Sequence, residues 1–223
     1  MSAKIEPTDA SDARVEAIRS SYDRVADVYA EAIFGELQHK PFDCDLLSRF
    51  AATTTRRGRV CDMGCGPGQV ARFLHDAGAD AFGLDLSPGM IDQARRLNPG
   101  MDFREGNMLE LDLPDASLAG ITAFYAIVNL PSDLRPGVIR EMARVLQPGG
   151  QLLIAFHIGG KRLPVAELFG RAITMDFYLL DSATIEAELQ SAGFQIIEIL
   201  ERDPYPPPVE HQSRRAYLFA AKR

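Results

Sequence analysis

The stretch from residue 59 to residue 77 narrows the choice of fold more than any other part of this chain. A short apolar run, Arg59 to Met63, leads straight into Gly64, Cys65, Gly66, Pro67 and Gly68, then into an amphipathic stretch closed by Gly78. The run has the length of a strand, and the apolar positions after it recur at helical spacing up to a glycine stop. Glycines at 64, 66 and 68 leave no side chain between backbone amides and a ligand, and they permit backbone angles that other residues avoid. Strand, tight glycine turn and helix in that order open a doubly wound α/β sheet, whose ligands sit at the carboxyl edge.

The alternation continues along the chain. Strands are expected at 80–84, 101–105, 118–125 and 151–156, with helices at 68–77, 88–97 and 133–146. Residues 118–125 are apolar on both faces, as a central parallel strand should be. Strand–helix–strand repetition implies parallel strands, right-handed crossovers and helices on both faces. A helix at 181–192, a strand at 194–202, the proline-rich connection 203–210 and a strand at 215–221 complete the chain. With no helix between them, the last two strands are expected to be antiparallel. Ahead of the sheet lie two helices, 11–33 with Asp9 and Ser11 as caps, and 41–52 opening on Pro41. The first ten residues are polar and expected to fray. This divides the chain into a helical extension or lid at 1–55 and one structural unit at 56–223.

Composition removes several classes. With 223 residues the chain holds one sizeable domain, and 24 Lys+Arg against 31 Asp+Glu leave a net charge of −7. An acidic chain lacks the basic face that phosphate backbones require, so no nucleic-acid partner is expected. The longest apolar stretch, 118–130, is broken by Thr122 and Asn129 and is too short to span a bilayer. The opening MSAKIEPTDA has no apolar core of the secretory kind. Three cysteines give no disulfide framework. His39, His75, His157 and His211 show no ligand spacing, and Cys61 and Cys65 read as small fillers, so no metal is expected. The reading is a cytoplasmic protein, a monomer or a homodimer.

Two further positions sharpen the glycine turn. Asp85 ends the second strand, where a carboxylate can accept from both ribose hydroxyls. Asn107 follows the third strand, within reach of an adenine edge. Together with their order these segments carry a resemblance. DMGCGPG (62–68), GLDLSPGMIDQAR (83–95), FREGNMLELDLPDASLAGI (103–121) and RVLQPGG (144–150) resemble the successive motifs of class I S-adenosylmethionine-dependent methyltransferases. The nearest subgroup is the small-molecule type related to quinone-biosynthesis enzymes. The resemblance implies a Rossmann-like, doubly wound seven-stranded sheet, mostly parallel with a C-terminal antiparallel strand, behind an N-terminal helical extension. It also implies S-adenosylmethionine as cofactor and S-adenosylhomocysteine as product.

By that resemblance, Asp62, Gly64, Cys65, Gly66 and Gly68 border the methionine part of the cofactor. Asp85 takes the ribose, Leu86 and Met90 flank the adenosine, and Asn107, Met108 and Leu109 take the adenine. The family more often has Asp at position 107, but the Asn carbonyl oxygen can accept from the adenine amino group. The segment YDRVADVY (22–29) puts Tyr22 and Tyr29 on one helix face. In relatives such a helix closes over the cofactor; the alternative is a packed seam. Residues 122–131 follow the fourth strand, and Phe124 is expected near the transferred methyl. Asn129 stands where many relatives have His.

Methyl transfer from a sulfonium is an in-line displacement, so proximity can lower the barrier by ~7–11 kcal/mol. A base is needed only where the acceptor must lose a proton early. His157, just after the fifth strand, is the best-placed candidate, with Tyr125 and His39 behind it. Residues 158–180 carry too many apolar groups for an exposed loop and, with the N-terminal helices, either roof a pocket for a fairly apolar small molecule or complete the core. Of the adjacent Arg214 and Arg215, one is expected to turn inward and pair with a carboxylate. Two other readings stay open. One is a non-catalytic cofactor-binding module; the other is a nicotinamide-dependent oxidoreductase, whose usual glycine spacing this loop lacks.

Overall fold

The computed structural model describes residues 9–223. Residues 1–8, and the side chains of residues 9 and 10, lie outside the described residues, and so do the expected fraying and the Asp9 cap. The chain opens with α1 (Asp9–Ile33), a 3-10 turn (Glu36–His39) and α2 (Pro41–Thr54). Because α1 starts at residue 9, Ser11 sits inside its first turn rather than capping it.

The alternating part follows as β1 (Arg59–Met63), α3 (Gln69–Asp76), β2 (Asp80–Asp85), α4 (Pro88–Leu97), β3 (Phe103–Glu105) and β4 (Leu118–Phe124). Next come α5 (Arg135–Val145), β5 (Leu146–His157), β6 (Lys161–Leu168), β7 (Arg171–Leu179), α6 (Ser182–Ser191), β8 (Phe194–Arg202) and β9 (Arg215–Lys222). Seven strands form one sheet in the order β3-β2-β1-β4-β5-β9-β8. β9 runs antiparallel to both β5 and β8, whereas the pairs from β3 to β5 are parallel. Strand order reverses between β1 and β4, which opens a crevice at their carboxyl ends.

Period-two alternation sorts the strand side chains between two cores. On one face Val60, Leu153, Ala155 and Tyr217 pack under Leu46, Leu47 and Phe50 of α2 and Val70 and Leu74 of α3. On the other, Met63, Ile121, Leu152, Ile154 and Leu218 pack under Val138, Ile139 and Met142 of α5 and Ile185 and Leu189 of α6. Each fully buried side chain of this size contributes about 1.5–3 kcal/mol relative to exposure. Local chemistry sets the helix starts: Ser87 accepts from the Met90 N–H ahead of Pro88, and Asp181 accepts from the Thr184 N–H.

Residues 158–180 are not a loop. β6 and β7 form a separate antiparallel pair, turned by Phe169 (φ 49°) and Gly170 (φ 77°). Positive φ at both central residues is the two-residue hairpin turn whose twist matches that of its strands. Neither the Phe-Gly pair nor the strand sequence, with Pro164 and several charges, advertises it. Tertiary contacts hold it instead. Ile173 and Met175 bury against Val25 and Ala26 of α1 and Met90 of α4. Ser21 Oγ pairs with both the N–H and the carbonyl of Thr174, at 3.2 Å each. Arg171 binds Asp27 at 2.6 Å. Among the described residues no helix is long and apolar enough to cross a membrane.

Candidate active site

The glycine turn carries φ of 69° at Gly64, 51° at Gly66 and 87° at Gly68, a region that side chains disfavour. At Gly64 a Cβ would stand 2.5 Å from that of Ala126, so the loop closes directly onto the segment after β4. Gly68 differs from the sequence expectation. It lines neither cavity described below, and a Cβ there would strike the Phe103 ring and the Asn98 amide at 2.7–2.8 Å. Its place is in the packing behind the turn.

Asp85 is 9% exposed at the end of β2. Its Oδ2 accepts from the Gly66 N–H and its Oδ1 from the Ser87 N–H, both at 2.9 Å. Burial raises its pKa, and those two N–H donors act against the rise. A carboxylate has about four acceptor positions, so two are spent on holding the loop and two remain for a ligand.

Asp85 lines a narrow cleft together with Tyr22, Tyr29, Gly64, Gly66, Leu86, Met90, Asn107, Met108, Leu109 and Phe124. These expected cofactor residues therefore meet in one place. One detail differs: Asn107 Oδ1 already accepts from the Leu109 N–H at 2.9 Å, so its loop is shaped by the same oxygen that was expected to read adenine. One lone pair and the Nδ2 donor are left for a base edge.

α1 covers the cleft through a specific clasp. Tyr22 donates to Asn129 Oδ1 at 2.7 Å, and Asn129 Nδ2 donates to the Asp176 carbonyl of β7 at 2.8 Å. Asn129, 5% exposed, thus ties α1 to the hairpin. Asp23 Oδ1 accepts from Ser87 Oγ at 2.5 Å and from the Gly89 N–H at 2.9 Å, pinning α1 to the start of α4. Tyr22 and Tyr29 also meet edge to face, with ring centroids 5.9 Å apart. Burial raises the pKa of both hydroxyls and keeps them neutral. Tyr22→Phe removes the donor to Asn129 and is expected to lower the unfolding free energy by roughly 1–3 kcal/mol. Urea denaturation measures that loss; unchanged stability would mean the clasp contributes nothing.

A wider chamber of about 470 Å³ shares Tyr22, Tyr29, Gly64, Gly66, Phe124 and Tyr125 with the cleft. Asp62 and Cys65 lie at the loop side of the chamber. Burial pushes Asp62 up to about 7, even though Thr122 Oγ1 and the Ala71 N–H donate to it. Tyr125 is held at φ 56° just after β4, a conformation that costs a bulky residue about 1–3 kcal/mol. Its hydroxyl lies 3.4 Å from that of Tyr217, and burial raises its pKa well above the usual phenol value.

His157 ends β5 on the chamber wall, 4.7 Å from the Tyr125 ring centroid. Burial pushes its pKa down to about 3, helped by Arg215, His211 and Lys40. The imidazole is therefore neutral at physiological pH and a weak base. His39 is exposed and lines neither cavity.

Sequence reasoning expected an inward-turned arginine but missed the polar end of the chamber around it, where Glu36, Lys40, Gln69, Glu210 and His211 gather with Arg215. Arg215 is the inward-turned arginine and reaches Glu210 at 3.2 Å, while Arg214 stays exposed beside Glu201. Lys40 and Glu210 look like solvated charges in sequence, and nothing local marks them as buried. Asp23, inside the YDRVADVY segment, was also missed; its place directly after Tyr22 on that helix is the signal that could have found it.

A doubly wound sheet with a buried carboxylate after β2 and a glycine turn after β1 defines a nucleoside-binding α/β protein. A family profile described as a methyltransferase domain matches residues 60–150. A phosphatidylethanolamine N-methyltransferase of Cereibacter sphaeroides is 31% identical over 159 residues, covering 68% of this chain and 73% of the relative. A demethylmenaquinone methyltransferase of Beutenbergia cavernae is 30% identical over 145 residues, covering 64% of this chain and 56% of the relative. Magnesium protoporphyrin IX methyltransferase from Synechocystis PCC 6803, solved with S-adenosylhomocysteine bound, shares the fold at a TM-score of 0.69 and 17% identity, over 93% of this chain and 99% of that one. The chain belongs to the S-adenosylmethionine-dependent methyltransferases. It spans between about half and three quarters of the length of these two curated relatives.

The residues present fit the family's donor. Asp85 keeps two acceptor positions for ribose hydroxyls, and Gly64 and Gly66 open the loop backbone to both cavities. Gln69 Oε1, buried and without a hydrogen-bond partner, sits on the chamber wall beside Glu36, an unused acceptor suited to a cationic ammonium.

Proposed function

We propose that this chain transfers the methyl group of S-adenosylmethionine to a small, largely apolar acceptor seated in the chamber. The observation that carries this reading is that two cavities meet along one shared wall. The cleft holding Asp85 and Asn107 and the chamber have Tyr22, Tyr29, Gly64, Gly66, Phe124 and Tyr125 in common. When bound, S-adenosylmethionine supplies an electrophilic methyl group on a sulfonium.

The chain's own contribution is alignment and exclusion of water. Asp85 anchors the sugar, Met108 and Leu109 flank the base, and α1 closes over both. The hairpin side chains Leu163, Val165, Phe169 and Phe177 line the chamber. Holding nucleophile, methyl carbon and leaving sulfur in line can lower the barrier by ~7–11 kcal/mol. His157 contributes a neutral hydrogen-bonding group beside the acceptor, and Tyr125 forms its wall. An alkyl cation near Asp62 favours the ionised form of that carboxylate, so donor binding and Asp62 ionisation reinforce each other.

A thermal-shift comparison tests the donor. S-adenosylhomocysteine at about 100 times its Kd should stabilise the chain by about 2.7 kcal/mol, or roughly 5–10 °C at this size. NAD should leave the midpoint unchanged; stabilisation by NAD alone would establish the oxidoreductase reading instead. Transfer of labelled methyl to an extract of apolar metabolites then separates an enzyme from a binding module.

A further inference from the structure

The two ends of the chamber differ in chemistry. The exposed part of its lining is rich in large apolar side chains. Of the four large apolar side chains exposed among the described residues, Leu163, Phe169 and Val209 all line the chamber. The inner end is built around the Tyr125 ring. Lys40 Nζ and the Arg215 guanidinium carbon each lie 5.9 Å from its centroid, and the His157 ring lies 4.7 Å from it.

Both cations are buried, with side chains 7% and 2% exposed. Lys40 pairs with Glu36 at 2.5 Å and approaches Glu210 at 3.6 Å; Arg215 reaches Glu210 at 3.2 Å. Glu210 is a divided counter-ion, because Arg202 also holds both of its oxygens, at 2.7 and 2.9 Å. Arg202 has Asp43 as a second partner, whereas Arg215 keeps Nε buried with no hydrogen-bond partner. Ser213 Oγ meets Nδ1 of His157 at 2.8 Å and Nδ1 of His211 at 3.3 Å; its single proton serves one of them, and donated to His157 over the shorter contact it leaves that neutral ring with an Nε2–H donor. The Arg215 terminal nitrogens already donate to the Ser213 and His211 carbonyls, at 2.6 and 3.1 Å, so a shared carboxylate, the unused Nε–H and one imidazole N–H are what an added anionic oxygen would engage.

We infer that the acceptor is an amphipathic acid, with its apolar body under the hairpin and an anionic oxygen group received by Lys40, His157 and Arg215 beside Tyr125. This rests on the methyl-transfer reading and narrows its substrate class. The donor's own carboxylate has the same chemistry, so the test must keep that group in place.

The experiment uses three probes with one carbon skeleton, 4-phenylbutyrate, its isostere 4-phenylbutyramide and the cationic 4-phenylbutylamine, titrated by calorimetry at pH 7 into the chain saturated with S-adenosylhomocysteine. The acid is expected to bind about tenfold tighter than the amide, and the amine not measurably. Lys40→Gln should remove the difference between acid and amide. His157→Asn should narrow it, which keeps the question answerable where the Lys40 variant fails to fold. Equal binding of acid and amide, or a preference for the amine, overturns the inference. So does an acid preference seen without S-adenosylhomocysteine and lost with it, because the site would then belong to the donor's carboxylate. Failure of S-adenosylhomocysteine to bind defeats the methyl-transfer reading as well; its binding without an acid preference defeats this inference alone.

Discussion

Asp85→Ala is expected to weaken S-adenosylhomocysteine binding by about a hundredfold or more in calorimetry. Two hydrogen bonds from ribose hydroxyls to a buried carboxylate are worth roughly 1.5–3 kcal/mol each. The same substitution strips the Gly66 and Ser87 N–H groups of their acceptor, so the loop that borders the donor loses its anchor. Asp85→Asn provides the control. It keeps the volume and one acceptor oxygen, and should recover part of the stability but little of the affinity. Unaltered affinity in Asp85→Ala would remove the basis for placing a nucleoside in the cleft.

The second large effect concerns stability. Glu210 has a side chain with no exposure and faces Arg202, Arg215 and Lys40. Burial works against its charge, but the Arg202 hydrogen bonds, the Tyr205 N–H and Arg215 outweigh that and hold its pKa down to about 2. Glu210→Ala takes the carboxylate from buried Arg215 and removes a shared partner of Lys40 and Arg202, and should cost about 3–5 kcal/mol. For a chain of this size that lowers Tm by roughly 6–20 °C. The pH dependence has a definite sign. A carboxylate depressed in the folded state contributes stability above its unfolded value of 4.5, and that contribution is lost as pH falls from there toward 2. Urea midpoints measured from pH 6 down to pH 3 should fall more steeply for the parent chain than for Glu210→Ala. Parallel slopes would show that Glu210 is not the group being titrated.

Much of the fold was legible because its signals are local. β1 and α4 fall on the expected residues, and several other elements differ by one or two at their ends. Strand length, helical spacing, Pro88 and the glycine stops act over a few residues, and no distant contact is needed to interpret them. β5 is the exception at its start: it runs back through 146–150, where the Pro-Gly-Gly run signalled a stop, because Leu146 pairs with Leu118 of β4. The hairpin of β6 and β7 escaped detection for a related reason. Its strands carry charges and a proline, and the apolar partners that hold it, Val25 and Met90, lie far away in sequence.

The site divides along the same line. The sequence alone was enough to bring Gly64, Asp85, Asn107 and their neighbours to one sheet edge, because the parallel topology places every loop after a strand on that edge. Only the tertiary structure decided which of these residues touch a ligand space. It moved Gly68 into the packing, turned Asn129 into a clasp and made His157 a poor base. It also assembled Lys40, Tyr125, Glu210 and Arg215, drawn from three separate segments, into one buried polar end. Burial is a property of what surrounds a side chain, and a lone lysine or glutamate reads as solvated until the fold closes over it.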